Sequence, residues 1–165
     1  MTPLPCHIVE LPIASSTDGL GRELARVLPD AFVVHLRGEL GAGKSSLARA
    51  LLRALGVTGS IKSPTYSLVE RYPLADGREA VHLDLYRIRD PGELEYLGLD
   101  DLSGREVLWL IEWPERGGAA LPPPDLEVQL EPADKGRRAT LRPLSPAAAA
   151  IWPILSKIGP ASGSV

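Results

Sequence analysis

Apolar positions fall into short solid runs separated by stretches with three- and four-residue spacing. Residues 32–37 (FVVHLR) and 106–111 (EVLWLI) are nearly continuous apolar runs, the pattern of strands buried on both faces. Residues 6–11 (CHIVEL) read as a further short strand. After Ser15-Ser16-Thr17-Asp18, which supplies helix-capping side chains, Leu20, Leu24, Val27 and Leu28 predict an amphipathic helix that stops near Pro29. In SSLARALLRALG, Leu47, Leu51 and Leu55 recur four apart and Gly56 closes the pattern, predicting a second helix. YSLVERY (66–72) and EAVHLDL (79–85) predict a hairpin across the Asp76-Gly77 turn. Asp90-Pro91-Gly92-Glu93 predicts a helix start with a capping box, ending near Gly98. After the stiff Pro122-Pro123-Pro124, DLEVQL and RRATLRP predict a last strand pair around Lys135-Gly136. PAAAAIWPILSKI predicts a helix interrupted by Pro153, followed by a disordered tail. The division that follows is one domain over 1–145 and a C-terminal helix and tail over 146–165.

Composition narrows the chemistry. At 165 residues the chain supports a single core. Net charge is −3, which disfavours a free-standing electrostatic grip on nucleic acid. A single cysteine, Cys6, rules out an internal disulfide framework and cysteine-rich zinc sites. No apolar run approaches the roughly 18 residues that span a bilayer, and the N-terminus lacks the basic start and apolar core of an export signal. A cytoplasmic protein without membrane contact, monomeric alone, is the expectation. The scarcity of Asn, Gln, Cys and Met beside abundant Pro fits both a heat-adapted source and a GC-rich genome.

Directly after the first buried run stands Gly38-Glu39-Leu40-Gly41-Ala42-Gly43-Lys44-Ser45, matching G-x-x-x-x-G-K-[ST]. Its glycines let successive N–H groups turn into one cavity, and the helix starting there adds its positive end. Lys44 is placed for the β- and γ-phosphates and the Ser45 hydroxyl for Mg2+. Ser46 is either a further contact or an ordinary first-turn residue. The chain contains no Asn, which excludes both a guanine-reading N-K-x-D box and a protein-kinase catalytic loop and leaves ATP as the default.

Such a loop needs an acid at the end of a neighbouring buried strand. Glu112 ends one apolar run and Asp84 lies near the end of another. Either suits the metal or the attacking water, while the plain alternative for Asp84 is a pair with Arg87. Lys62-Ser63-Pro64-Thr65-Tyr66 lies where phosphate-sensing loops occur, with Thr65 either meeting the site or capping a proline-set turn. Trp113 either walls the site or belongs to the core, as Trp109 and Trp152 are expected to do.

GELGAGKSSLARALLRALG, IKSPTYSLVERY, HLDLYRIRDPGELEYLGLDD and LIEWPERGGAALPPPDLEVQL, in that order from about residue 13 to 142, resemble the bacterial TsaE family. The departure is mild: Ser45 and Ser46 stand where the family usually has threonines. The resemblance implies an α/β, three-layer P-loop NTPase fold with a largely parallel central sheet. It implies ATP on Leu40, Gly41, Ala42, Gly43, Lys44 and Ser45, with Mg2+ on Ser45 and Glu112. It makes Asp84 the proposed catalytic acid, puts Thr65 in a switch-like loop, and sets Thr17 and Arg138 at the border of the nucleotide. It implies docking on the proteins TsaB and TsaD, of which TsaD transfers threonylcarbamoyl to the tRNA adenosine beside the anticodon. The TsaE-like partner would support multiple turnover by hydrolysing ATP, meeting tRNA only through the complex. A small-molecule P-loop kinase is the alternative.

Overall fold

The computed structural model describes residues 5–102 and 105–159. The expected disorder of the tail lies beyond residue 159, outside the described residues. Seven strands form one sheet: β1 (His7–Leu11), β2 (Phe32–Arg37), β3 (Val69–Pro73), β4 (Glu79–Asp84), β5 (Val107–Glu112), β6 (Leu126–Pro132) and β7 (Arg137–Pro143). Their order is β1-β7-β6-β2-β5-β4-β3. The four central strands, β6, β2, β5 and β4, run parallel. The flanks are antiparallel: β3 on β4, and β7 between β6 and β1. The sheet is thus α/β and mixed, parallel where the apolar runs are most continuous and antiparallel where tight turns join neighbouring strands.

Alternation along the strands divides the core in two. Phe32, Val34, Leu36, Leu108 and Leu110 face one side, where α1 (Ala14–Val27), α2 (Lys44–Ala54) and α3 (Pro146–Leu155) cover them. Val33, Val81, Leu83, Val107 and Ile111 face the other, beneath Leu94, Leu102 and Leu121 from short 3-10 turns. The third layer is therefore built of turns rather than long helices.

Four local expectations are corrected. The first helix begins earlier than its polar capping residues suggest, because Ile13 takes the N-cap position and its N–H donates to the Ser16 hydroxyl. The strand expected from Tyr66 begins at Val69, because Leu68 has φ 67° and its N–H closes a turn onto the Pro64 carbonyl. Pro91–Leu97 is a 3-10 helix rather than an α-helix. Asp90 does cap it by accepting from the Gly92 N–H, but seven residues with a glycine near the start are too few to propagate an α-helix before left-handed Gly98 ends it. Pro153 sits within α3 without ending it. The helix is held at its start by the Ser145 cap on Ala148 N–H, and by burial of Ala148 and Leu155 against the main core.

Helices α1 and α2 pack closely at Gly21. A Cβ there would lie 2.6 Å from the Ala50 Cβ and 2.9 Å from the Leu51 nitrogen. Overpacking of this kind costs about 1–3 kcal/mol, against a helix-propensity gain of about 1 kcal/mol at most. Gly21→Ala should therefore lower the urea midpoint, by an amount equivalent to about 1–2 kcal/mol. An unchanged or raised midpoint would show that the two helices separate freely.

Candidate functional site

The glycine-rich loop joins the end of β2 to the start of α2. Gly41 has φ 82° and Gly43 φ 107°, conformations that a side chain would strain. A Cβ on Gly43 would also run into the Arg137 guanidinium. Lys44, 4% exposed, donates to the carbonyls of Gly38 (2.6 Å) and Glu39 (2.9 Å), using two of its three N–H donors. Its Nζ lies 4.5 Å from the centre of a Trp113 ring. Burial pulls its pKa below the usual lysine range, and the carboxylates of Glu112 and Asp84 oppose that pull.

The two candidate acids are register partners at the ends of adjacent parallel strands, Asp84 on β4 and Glu112 on β5. Both are buried and face the side of the sheet that α2 covers. The Ser45 Oγ donates to the Glu112 carboxylate, 3.0 Å from each oxygen. Asp84 accepts from the Tyr86 N–H (3.0 Å) and from the Thr65 hydroxyl (3.3 Å), which itself lies 2.8 Å from the Ser63 hydroxyl. Burial first, then the neighbouring Glu112 charge, raises the Asp84 pKa above the usual aspartate range. The suggested Asp84–Arg87 pair is absent: the Arg87 guanidinium lies over the Tyr66 ring. Trp113 both walls the cleft and packs on the second core, and Trp109 and Trp152 pack partly buried against the core as expected.

These groups line a cleft of about 210 Å³. Its wall includes Leu40, Gly41, Gly43, Lys44, Ser45, Ser46, Thr65, Asp84, Glu112 and Trp113. Pockets for whole small molecules usually occupy about 300–1,000 Å³, so the space suits a phosphate chain rather than an entire nucleotide. Ala42 is buried beneath the loop. Ser46 also borders a second cleft between α1 and α2, with Asp18, Arg22, Arg49 and Arg53.

Three placements depart from the sequence reading. Thr17 is buried within α1 and lines neither cleft. Arg138 lies on the outer side of β7, where its Nε donates to Glu10 at 2.8 Å. Its neighbour Arg137 reaches the cleft instead, because strand alternation turns 137, 139 and 141 to the helix-covered side. The third residue is His82, missed among the apolar positions of its strand. It is fully buried and its Nε2 lies 2.6 Å from Glu112 Oε2. Its period-two relation to Asp84 was the available signal.

The donor set fits a hard divalent cation. Ser45 Oγ and the Glu112 carboxylate place hard oxygen donors side by side, the donor type that Mg2+ takes. Among the described residues no three His, Cys, Asp or Glu side chains converge on a metal position. Mg2+ takes one or two protein oxygens and completes its shell with phosphate and water.

Comparison with known proteins follows the same lines. The family model described as "Threonylcarbamoyl adenosine biosynthesis protein TsaE" matches residues 11–140. The tRNA threonylcarbamoyladenosine biosynthesis protein TsaE of Haemophilus influenzae is 42% identical over 126 residues, covering 73% of this chain and 79% of that protein. The protein of the same name from Aquifex aeolicus is 36% identical over 121 residues, 72% of this chain and 82% of its own length. The crystal structure of Bacillus subtilis YdiB superposes with a TM-score of 0.75 at 22% identity, covering 95% of this chain and 98% of that one, a likeness of fold.

The carboxylate pair sets a testable cost. An aspartate whose pKa is raised on folding destabilises the fold above that pKa, and the deficit fades as pH falls toward the unfolded value. In nucleotide-free protein with chelator, Asp84→Asn should therefore unfold at a higher temperature than the parent at neutral pH. The advantage should shrink on acidification. An advantage that stays constant with pH would mean that the Asp84 charge is not its source.

Proposed function

The chain belongs to the TsaE family, which ties it to threonylcarbamoyladenosine biosynthesis on tRNA and to P-loop ATP chemistry, and from that premise we propose that it is a Mg2+-dependent ATPase whose hydrolysis supports multiple turnover by a TsaB–TsaD pair. It does not itself transfer the threonylcarbamoyl group. The observation that carries the ATPase reading is the Ser45–Glu112 contact at 3.0 Å, with Lys44 and Asp84 on the same small cleft.

In this reading the loop amides from Leu40 to Ser46 bind the phosphates. The third Lys44 donor neutralises the β- and γ-oxygens while its other two stay on the Gly38 and Glu39 carbonyls. Arg137, beside Gly43, adds a second cation at the same edge. Ser45 and Glu112 would hold Mg2+, which when bound would offset the negative charge of the phosphates. Asp84, aimed by the Tyr86 N–H and the Thr65 hydroxyl, accepts a proton from the water that attacks the γ-phosphorus. The bond from that phosphorus to the ADP oxygen breaks, leaving ADP and inorganic phosphate. The loop over 62–68 senses the γ-phosphate through Thr65.

Purified TsaB and TsaD should modify tRNA for many turnovers with the wild-type chain and ATP. The yield should fall to about one turnover without the chain or with Lys44→Ala, because one lysine is the principal cation on the transferring phosphoryl group. Undiminished multi-turnover synthesis on omission would overturn the proposed role. Phosphoryl transfer to a metabolite in place of water would redirect the site to the kinase alternative.

A further inference from the structure

His82 is an unusual residue for its place. It lies in the middle of β4, fully buried, with its strand partner Leu110 on one side and the main core around it. A leucine or valine there would fill the space without polar atoms. Its Nε2 meets Glu112 Oε2 at 2.6 Å, while its Nδ1 is buried without a hydrogen-bond partner. A carboxylate only accepts, so the Nε2 must carry the proton and donate. An unpartnered Nδ1 is a cost to the fold, and the return on that cost is the single bond to Glu112.

The other described donor to that carboxylate is the Ser45 hydroxyl. Ser45 has two tasks in the proposed site, since the same oxygen is offered to the cation. The imidazole N–H has one. It comes from the neighbouring strand, from a side chain buried on all sides.

We propose that His82 is a positioning residue. Its Nε2–H holds one oxygen of Glu112 and fixes the carboxylate plane, so that the lone pairs left over are presented to the divalent cation beside Ser45. This rests on the reading of Ser45 and Glu112 as the metal-holding pair. Such partners of metal ligands act on metal affinity more than on the rest of a site.

The test is nucleotide affinity by calorimetry in excess Mg2+ and in chelator, for the wild type and two variants. In His82→Gln the amide nitrogen can take the place of Nε2, whereas in His82→Asn it sits near Nδ1 and falls short. The ratio of the two affinities cancels any general loss of stability. His82→Asn should reduce the Mg2+-dependent gain by about 10- to 100-fold and leave affinity in chelator near wild type. His82→Gln should keep most of the gain. A full gain in His82→Asn, or equal losses in both variants, overturns the proposal. If neither variant folds, nitrogen NMR of the wild-type imidazole decides: a proton on Nε2 that shifts on addition of Mg2+-nucleotide supports it, and an unprotonated Nε2 overturns it. A wild type with no Mg2+-dependent gain defeats the metal reading itself, whereas a wild-type gain retained by His82→Asn defeats the positioning role alone.

Discussion

Two acids on adjacent parallel strands, buried and in register, are the constraint around which the site is arranged. Neighbouring strands are about 4.8 Å apart. Two unit charges at that spacing repel by about 3 kcal/mol at an effective dielectric of 20, a large share of the about 5–15 kcal/mol that holds a typical domain folded. Asp84 and Glu112 nonetheless sit there. The surroundings answer each charge separately: Ser45 and His82 on Glu112, Thr65 and the Tyr86 amide on Asp84, and the buried Lys44 ammonium near both. Burial first, and the Glu112 charge after it, hold the Asp84 pKa above the usual aspartate range, so part of that acid's cost is left uncompensated. A cation beside Glu112 would complete it, so the proposed metal role and the electrostatic imbalance point the same way.

The mixed sheet explains how distant segments reach this pair. Parallel order in β6, β2, β5 and β4 puts the ends of four strands on one edge, where the glycine loop also emerges. Each antiparallel flank then delivers one accessory group. The β6–β7 hairpin carries Arg137 to the glycine loop. The β3–β4 hairpin returns the chain so that the Leu68 carbonyl accepts the Asp84 N–H, which brings Thr65 to the Asp84 carboxylate. The antiparallel strands that flank the parallel centre are therefore the ones that complete the cleft.

What could be read from the linear chain was whatever is local. The phosphate loop, both acids and Thr65 lie in short segments whose residue types carry their own meaning, and the structure gathers them on one cleft. The strands of the core were readable for the same reason. Arg137 lines the cleft and Arg138 pairs with Glu10 because the side of a strand depends on pairing register, which a sequence of alternating polar residues does not settle. His82 was passed over because its partner is 30 residues away on the next strand. The 3-10 turn at Pro91–Leu97 shows the limit of capping signals, which mark where a helix starts and not whether enough residues follow to sustain it.

Backbone strain falls at the same place as charge strain. Among the described residues only two without a glycine's freedom have positive φ, Leu68 (67°) and Trp113 (56°). Each such residue costs on the order of 1–3 kcal/mol. Leu68 stands where the 62–68 loop joins β3, bonded to Asp84 through the backbone, and Trp113 follows Glu112 directly. The two unfavourable residues thus flank the two acids, and the Trp113 turn returns its ring to Lys44. A fold selected for stability alone would relax all four. Their coincidence at one edge makes this edge the part of the molecule with most to gain from a ligand that cancels charge and bridges the two loops. Binding to the folded state alone stabilises it in proportion to the logarithm of ligand over dissociation constant. A ligand held at this edge would therefore stabilise the 62–68 loop and the Trp113 turn together, through the acids that lie between them.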